Sequence, residues 1–411
     1  VTAALLALGL GGTAYAFHSG GVAECEGCHS IHSPVAGGSS LLLGATPSEA
    51  CLTCHEHAGD TGPSSYHIST ATADLAGAPL QRTPGGDFGW LKKIFTYSVT
   101  SGGVTTNYTE TGGGHNVVAP ANGYLAASGT APGGTFPAAE LQCNSCHDPH
   151  GKYRRKADGT VVTTGQPIKA SGSYNAASNE PTQNEAVGVY RLLAGSGYTK
   201  GGATFQGVPA AKAPSTYNQT EATNQVRVAY GVKTTGGHVT WSNWCTTCHG
   251  SMHSTGNYTH PVDQGMGNGV LSNYNSYVKS GDMSGTSATA FSSLVPFATN
   301  SGDYSALATL ASNGSPTSAG PGSGDQVNCL SCHRAHASGF AHMLRFDYGY
   351  EFMTKAGQYI GDTNPEVTGS RAPLQHRGRT IAMWQAAYYD RPATQFATYQ
   401  RVLCNKCHAQ D

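Results

Sequence analysis

The chain has 411 residues, a formal net charge of −1 and only 11% charged residues, which excludes a basic nucleic-acid-binding stripe and an acidic tail. Its 55 glycines make it poor material for long amphipathic helices, which draw on Glu, Lys, Arg and Leu. Twenty-one tyrosines, four tryptophans and twelve cysteines argue against the disordered chain that such a composition otherwise suggests.

In chain order, residues 1–16 (VTAALLALGLGGTAYA) carry no charge and end in Ala14-Tyr15-Ala16. They read as the apolar region and cleavage site of a secretory signal peptide, leaving an exported chain of 17–411. The stretch is short for a membrane span and no later one is longer, so no membrane anchor is expected. Then come CEGCH (Cys25, Cys28, His29) and CLTCH (Cys51, Cys54, His55). Residues 96–112 alternate β-branched and polar side chains and predict a small edge hairpin. CNSCH (Cys143, Cys146, His147) is followed by the one dense basic run, Lys152 to Lys156, read as a solvated loop or a partner for cofactor carboxylates, with a docking patch as the alternative. A second small hairpin is expected over 230–240, ahead of CTTCH (Cys245, Cys248, His249). Linkers rich in Gly, Ser and Thr, such as 280–293 and 311–324, lead to CLSCH (Cys329, Cys332, His333) and CNKCH (Cys404, Cys407, His408).

All twelve cysteines fall in these six motifs. C-x-x-C-H is the attachment signal of c-type haem. Two thiols three residues apart share one side of a helical turn and can form thioethers with both vinyl groups, which leaves the next residue, His, as proximal iron ligand. A disulfide framework has no need of a His after each second cysteine, zinc ribbons pair their C-x-x-C units more closely, and a thioredoxin-like pair would occur once. Six covalent haems would also supply apolar core that the polypeptide lacks. The expected fold is therefore mostly irregular, with short helices and a few small β-hairpins, in a single multihaem domain wrapped around its cofactors. The motif starts are 26, 92, 102, 84 and 75 residues apart, which is no simple tandem repeat.

Eighteen histidines less six proximal ones leave twelve for six distal positions. Bis-histidine ligation throughout is expected, since no methionine holds a regular place relative to the motifs. His32, His150 and His336 share the pattern C-x-x-C-H-x-x-H. A helical turn holds such a residue on the proximal face of its own haem, so as a ligand it must reach a neighbouring haem. His67, His115 and His260 sit in loops able to fold over a haem, and His18 lies on an N-terminal arm. His57 and His253 are reserves; His238, His342 and His376 are read as non-ligands.

The stretches AFHSGGVAECEGCH, CLTCHEHAGDTGPSSYHIST, TPGGDFGW, CHDPHGKYRR, APSTYN, NCLSCHRAHASGF and YQRVLCNKCH resemble the OmcS-type hexahaem outer-surface c-type cytochromes of dissimilatory metal-reducing bacteria, over essentially all of 17–411. The resemblance implies low-spin bis-histidine haems in a loop-dominated protein, and end-to-end homopolymers with the haems in one continuous chain. It also implies that His32 ligates the iron held by Cys329, Cys332 and His333 of the adjacent subunit. The function expected is extracellular electron transfer, not catalysis, from periplasmic or outer-membrane cytochromes to minerals, humic substances, electrodes or other cells. The alternatives are a monomeric periplasmic carrier and a multihaem redox enzyme with one open haem.

Overall fold

The structure is a computed structural model, described over residues 25–30, 32, 41–57, 67–150, 154–156, 161–162, 186–188, 190–213, 225–234, 237–252, 260–314 and 318–409. The signal-peptide reading of 1–16, His18, Lys152 and His253 lie outside these residues.

Regular structure is short and scattered, as the composition requires. The described α-helices are α1 (Cys25–Cys28), α2 (Pro47–His55), α3 (Cys143–Cys146), α4 (Trp241–Thr246), α5 (Asn268–Ser276), α6 (Tyr304–Leu310), α7 (Cys329–Cys332), α8 (Ala372–His376) and α9 (Ile381–Ala387). None exceeds nine residues, and none is long and apolar enough to cross a membrane. Such helices are marginal alone, and three of those at the motifs are closed by reciprocal caps. Thr46 with Glu49, Thr240 with Asn243, and Asn328 with Ser331 each satisfy two backbone donors at the entrance of α2, α4 and α7, while at α3 the Ser145 hydroxyl accepts from the Gln142 amide at 3.0 Å. In CNSCH and CLSCH the serine before the second cysteine is itself part of the cap. The sixth motif sits on a 3₁₀ turn, Leu403–Lys406.

The longest strands, Ile94–Ser101 and Val104–Thr111, form the hairpin expected over 96–112, starting two residues early. Gly102 and Gly103 make its two-residue turn with φ of 58° and 79°, as a turn matched to strand twist demands. Phe95 and Val99 face the core, and Tyr97 stacks across on Tyr108 at 5.0 Å. The expected hairpin at 230–240 shrinks to one bridge, Lys233 with Val239. Tyr230 pairs instead with Ala211, because its ring is buried against Trp241, with centroids 5.3 Å apart. Arg154–Lys156 is the middle strand of a three-stranded sheet rather than a loop.

The polypeptide has more core of its own than its composition suggests, and the core is aromatic. Trp90, Phe95, Tyr124, Phe340, Tyr359, Trp384 and Tyr388 are buried in one cluster. Large rings bury much area per residue, which suits a chain short of aliphatics. Three segments meet beside this core: Gly113–Gly114 pairs antiparallel with Ala337–Ser338, and Gly86 bridges Ala337 in parallel. Gly86 has φ +95°, and a Cβ there would lie 1.7 Å from the Ala337 carbonyl oxygen, so only glycine fits.

Candidate haem sites

The motifs are numbered here as sites 1 to 6 in chain order. All twelve cysteines are free of disulfides. They meet in a regular sequence. The thiols of Cys51 (site 2) and Cys143 (site 3) hydrogen-bond, as do those of Cys245 (site 4) and Cys329 (site 5). Burial raises the proton affinity of Cys28, Cys146 and Cys332, and the next contribution comes from Cys54, Cys248 and Cys407 respectively. With haem attached these sulfurs are thioethers, so their positions are what matters. Successive sites therefore adjoin in chain order, alternately through second cysteines (1 with 2, 3 with 4, 5 with 6) and first cysteines (2 with 3, 4 with 5).

Two serines set the first-cysteine junctions. Ser48, three residues before Cys51, accepts from the Cys143 amide at 3.1 Å, and Ser242, three before Cys245, accepts from the Cys329 amide at 3.4 Å. Both serines are fully buried. The pattern S-x-x-C-x-x-C-H, present at sites 2 and 4, was a legible signal that motif counting passes over. Arg345, also buried, donates from Nε to the carbonyls of Leu330 (2.6 Å) and His333 (3.2 Å), tying down the site 5 turn.

Four pairs of imidazoles face one another. The ring centroids are 6.3 Å apart for His29 and His150, 6.3 Å for His147 and His336, 6.0 Å for His115 and His249, and 6.1 Å for His260 and His408. An axial nitrogen sits about 2.0 Å from its metal and an imidazole centre about 1.1 Å behind it, so two rings flanking one iron stand roughly 6.2 Å apart. Each pair contains one proximal histidine and one free histidine, and each fits a haem iron between them. His67 is buried, but its ring lies 4.7 Å from that of His57, too short for an iron between those two. His32 is exposed on a bend.

The backbone orients four of the rings. His147, His249, His115 and His333 donate from Nδ1 to the carbonyls of Arg191, Pro132, Ala335 and His342, at 2.7 to 2.8 Å. This leaves Nε2 of each ring available to an iron and would make each imidazole a stronger ligand. Burial holds His115, His147, His333 and His336 below the usual histidine range, to about 4 for His147 and about 3 for His336. All four are neutral at pH 7, the form that binds a metal. The three histidines read as non-ligands stand apart. His238 is exposed, His342 turns its ring to Tyr348, and His376 accepts from the Gly378 amide through Nδ1.

No protein-family profile matches the chain. It is 52% identical to the C-type cytochrome OmcS of Geobacter sulfurreducens, over 97% of its own length and 95% of that protein's. Among solved structures it resembles an outer membrane cytochrome S filament of Geobacter sulfurreducens, with TM-score 0.82 and 51% identity. It also resembles OmcS nanowires of the same organism studied by cryo-EM, with TM-score 0.82 and 49% identity. In both cases 96% of this chain and 100% of the solved one are covered. With the motif count, the facing imidazoles and this likeness in hand, the chain belongs to the OmcS-type multihaem c-type cytochromes, whose cofactor is covalently bound haem c.

Proposed function

We propose that the chain is a conduit that polymerises end to end into an extracellular filament, taking electrons from periplasmic or outer-membrane cytochromes and delivering them to minerals, humic substances, electrodes or other cells. The observation that carries this reading is the succession of neighbouring sites from 1 to 6, with proximal and free histidines facing in four pairs. Haem, when bound, supplies a one-electron ferric/ferrous couple. The chain's own residues do the rest. Two imidazoles at each iron would leave no position for substrate, and backbone carbonyls fix His115, His147, His249 and His333. The solved relatives are filaments, and this chain matches them over nearly its whole length.

The pairing follows an offset of two sites. His150, in the site 3 motif, serves site 1, and His336, in the site 5 motif, serves site 3. His115, in the linker after site 2, serves site 4, and His260, in the linker after site 4, serves site 6. Carried round, site 5 requires the histidine of the motif two places on, which is His32 of the adjacent subunit. The same offset points site 2 to His18. Its competitor is His67, which is buried and whose neighbour Ile68 donates its amide to the His55 carbonyl at 2.9 Å. His18→Ala and His67→Ala separate the two: the variant that turns one haem high-spin has lost the ligand.

Haem analysis is expected to return six haems per chain, and reduced filaments are expected to bind no stoichiometric carbon monoxide. Carbon monoxide on one haem, with a high-spin ferric signal, would favour the enzyme reading, and secreted material with no filaments would favour the monomeric carrier. His150→Ala is expected to make site 1 high-spin. In a chain whose Cys25 and Cys28 are replaced by serine, the same substitution should add no high-spin haem; if it does, the offset is wrong.

A further inference from the structure

Of the twelve residues that stand between paired cysteines, two are charged: Glu26 at site 1 and Lys406 at site 6. Glu26 is exposed, whereas Lys406 is buried with 7% of its surface open, so the lysine is the one whose charge water screens little. The site 6 turn is clasped to the C-terminal end of α5. The Asn273 side chain donates to the Cys407 carbonyl at 3.1 Å, and the Lys406 Nζ donates to the carbonyl of Tyr277, the C-cap of α5, at 2.7 Å. The same Nζ lies 4.6 Å from the centroid of the Tyr274 ring. A helix C-terminus and an aromatic face are both electron-rich, and both favour the charged lysine. Burial pushes its pKa down to about 8, which still leaves an ammonium at pH 7. Among the described residues no carboxylate pairs with it. The propionates of a haem leave the porphyrin at the edge opposite the vinyl groups that cysteines capture, which places a lysine inside the attachment turn at the far edge from them.

We propose that Lys406 raises the reduction potential of site 6, so that the last haem of each chain holds its electron more tightly than two imidazoles alone would allow. Reduction adds one negative charge at the iron, and a cation held nearby, out of water and without a counter-charge, stabilises that charge. Burying such a cation is costly, and a neutral donor would brace the Tyr277 carbonyl without that cost. The proposal rests on haem attachment at site 6 and is independent of the axial pairing and of polymerisation.

The test is potentiometry of haem-loaded protein carrying Lys406→Met or Lys406→Gln, followed optically and by electron paramagnetic resonance. Mass spectrometry of the unaltered protein comes first: a peptide with no haem on Cys404 and Cys407 would overturn the attachment and the proposal together. Methionine removes the charge and the hydrogen bond, whereas glutamine removes the charge and keeps a donor for the Tyr277 carbonyl. Both variants should move one component to more negative potential, with six low-spin haems retained. The component that moves most should be the one lost from a chain carrying Cys404→Ser and Cys407→Ser. If methionine weakens the turn enough to lose haem, glutamine alone decides. No negative shift with glutamine would leave Lys406 a structural brace and overturns the proposal. So does a shift confined to components that survive the emptying of site 6.

Discussion

Replacing His32 by Ala is expected to abolish filaments and to turn one haem in six high-spin. Two independent lines converge on this result. A histidine three residues beyond the proximal one is held on its own haem's near face, and the offset of two sites, seen at His150 and His336, sends the histidine of motif 1 past the end of its own chain. At the receiving end, His333 is oriented by the His342 carbonyl at 2.8 Å, as an axial ligand would be. Among the described residues it stands in no facing pair of the kind that marks the other four sites. The isolated variant subunit should therefore bind carbon monoxide at site 5 alone. Free imidazole should restore the low-spin spectrum without restoring polymers, which separates lost ligation from lost subunit packing. Filaments of normal length with six low-spin haems would show that His32 is no inter-subunit ligand.

Covalent haem c was legible in the residues, because its attachment signature fills five consecutive positions. The facing histidines were legible only as a set. Every free histidine that faces a proximal one, His115, His150, His260 and His336, was among the candidates, but the partner of each lies two motifs away. Helical periodicity placed His150 and His336 beyond reach of their own irons, yet no local rule says which neighbour they reach. His57, held in reserve, stacks on His67 instead. The order of sites was likewise hidden, because it depends on serines such as Ser48 reaching across 95 residues to the Cys143 amide. The hairpin at 94–111 was readable, since strand alternation and a Gly-Gly turn agree there. At 230–240 the burial of one tyrosine ring overrode the local pattern. The aromatic core was underestimated, because counting aliphatic residues misses what a few Trp, Phe and Tyr bury.

Asp87→Ala is expected to cost about 3–5 kcal/mol, the largest loss of stability from any single site discussed here. The carboxylate is fully buried and accepts from the amides of Thr70 (2.9 Å), Gln81 (2.9 Å) and Gly89 (2.7 Å) as well as from the Thr70 hydroxyl. Alanine would leave three buried N–H groups without an acceptor, each costing about 1–3 kcal/mol. The damage should reach the haems. The loop that Asp87 closes carries Phe88, which stacks on His336 and donates its amide to the Ile68 carbonyl, while Ile68 in turn donates to His55. Asp87→Asn is the graded control. Its single oxygen can keep the Thr70 and Gly89 amides, but its NH2 group would confront the Gln81 amide, donor against donor. Melting temperatures should therefore fall in the order wild type, Asn, Ala, with the low-spin fraction at sites 2 and 3 falling before that at site 6. Equal melting of all three proteins would mean that the loop is held by the cofactors rather than by Asp87.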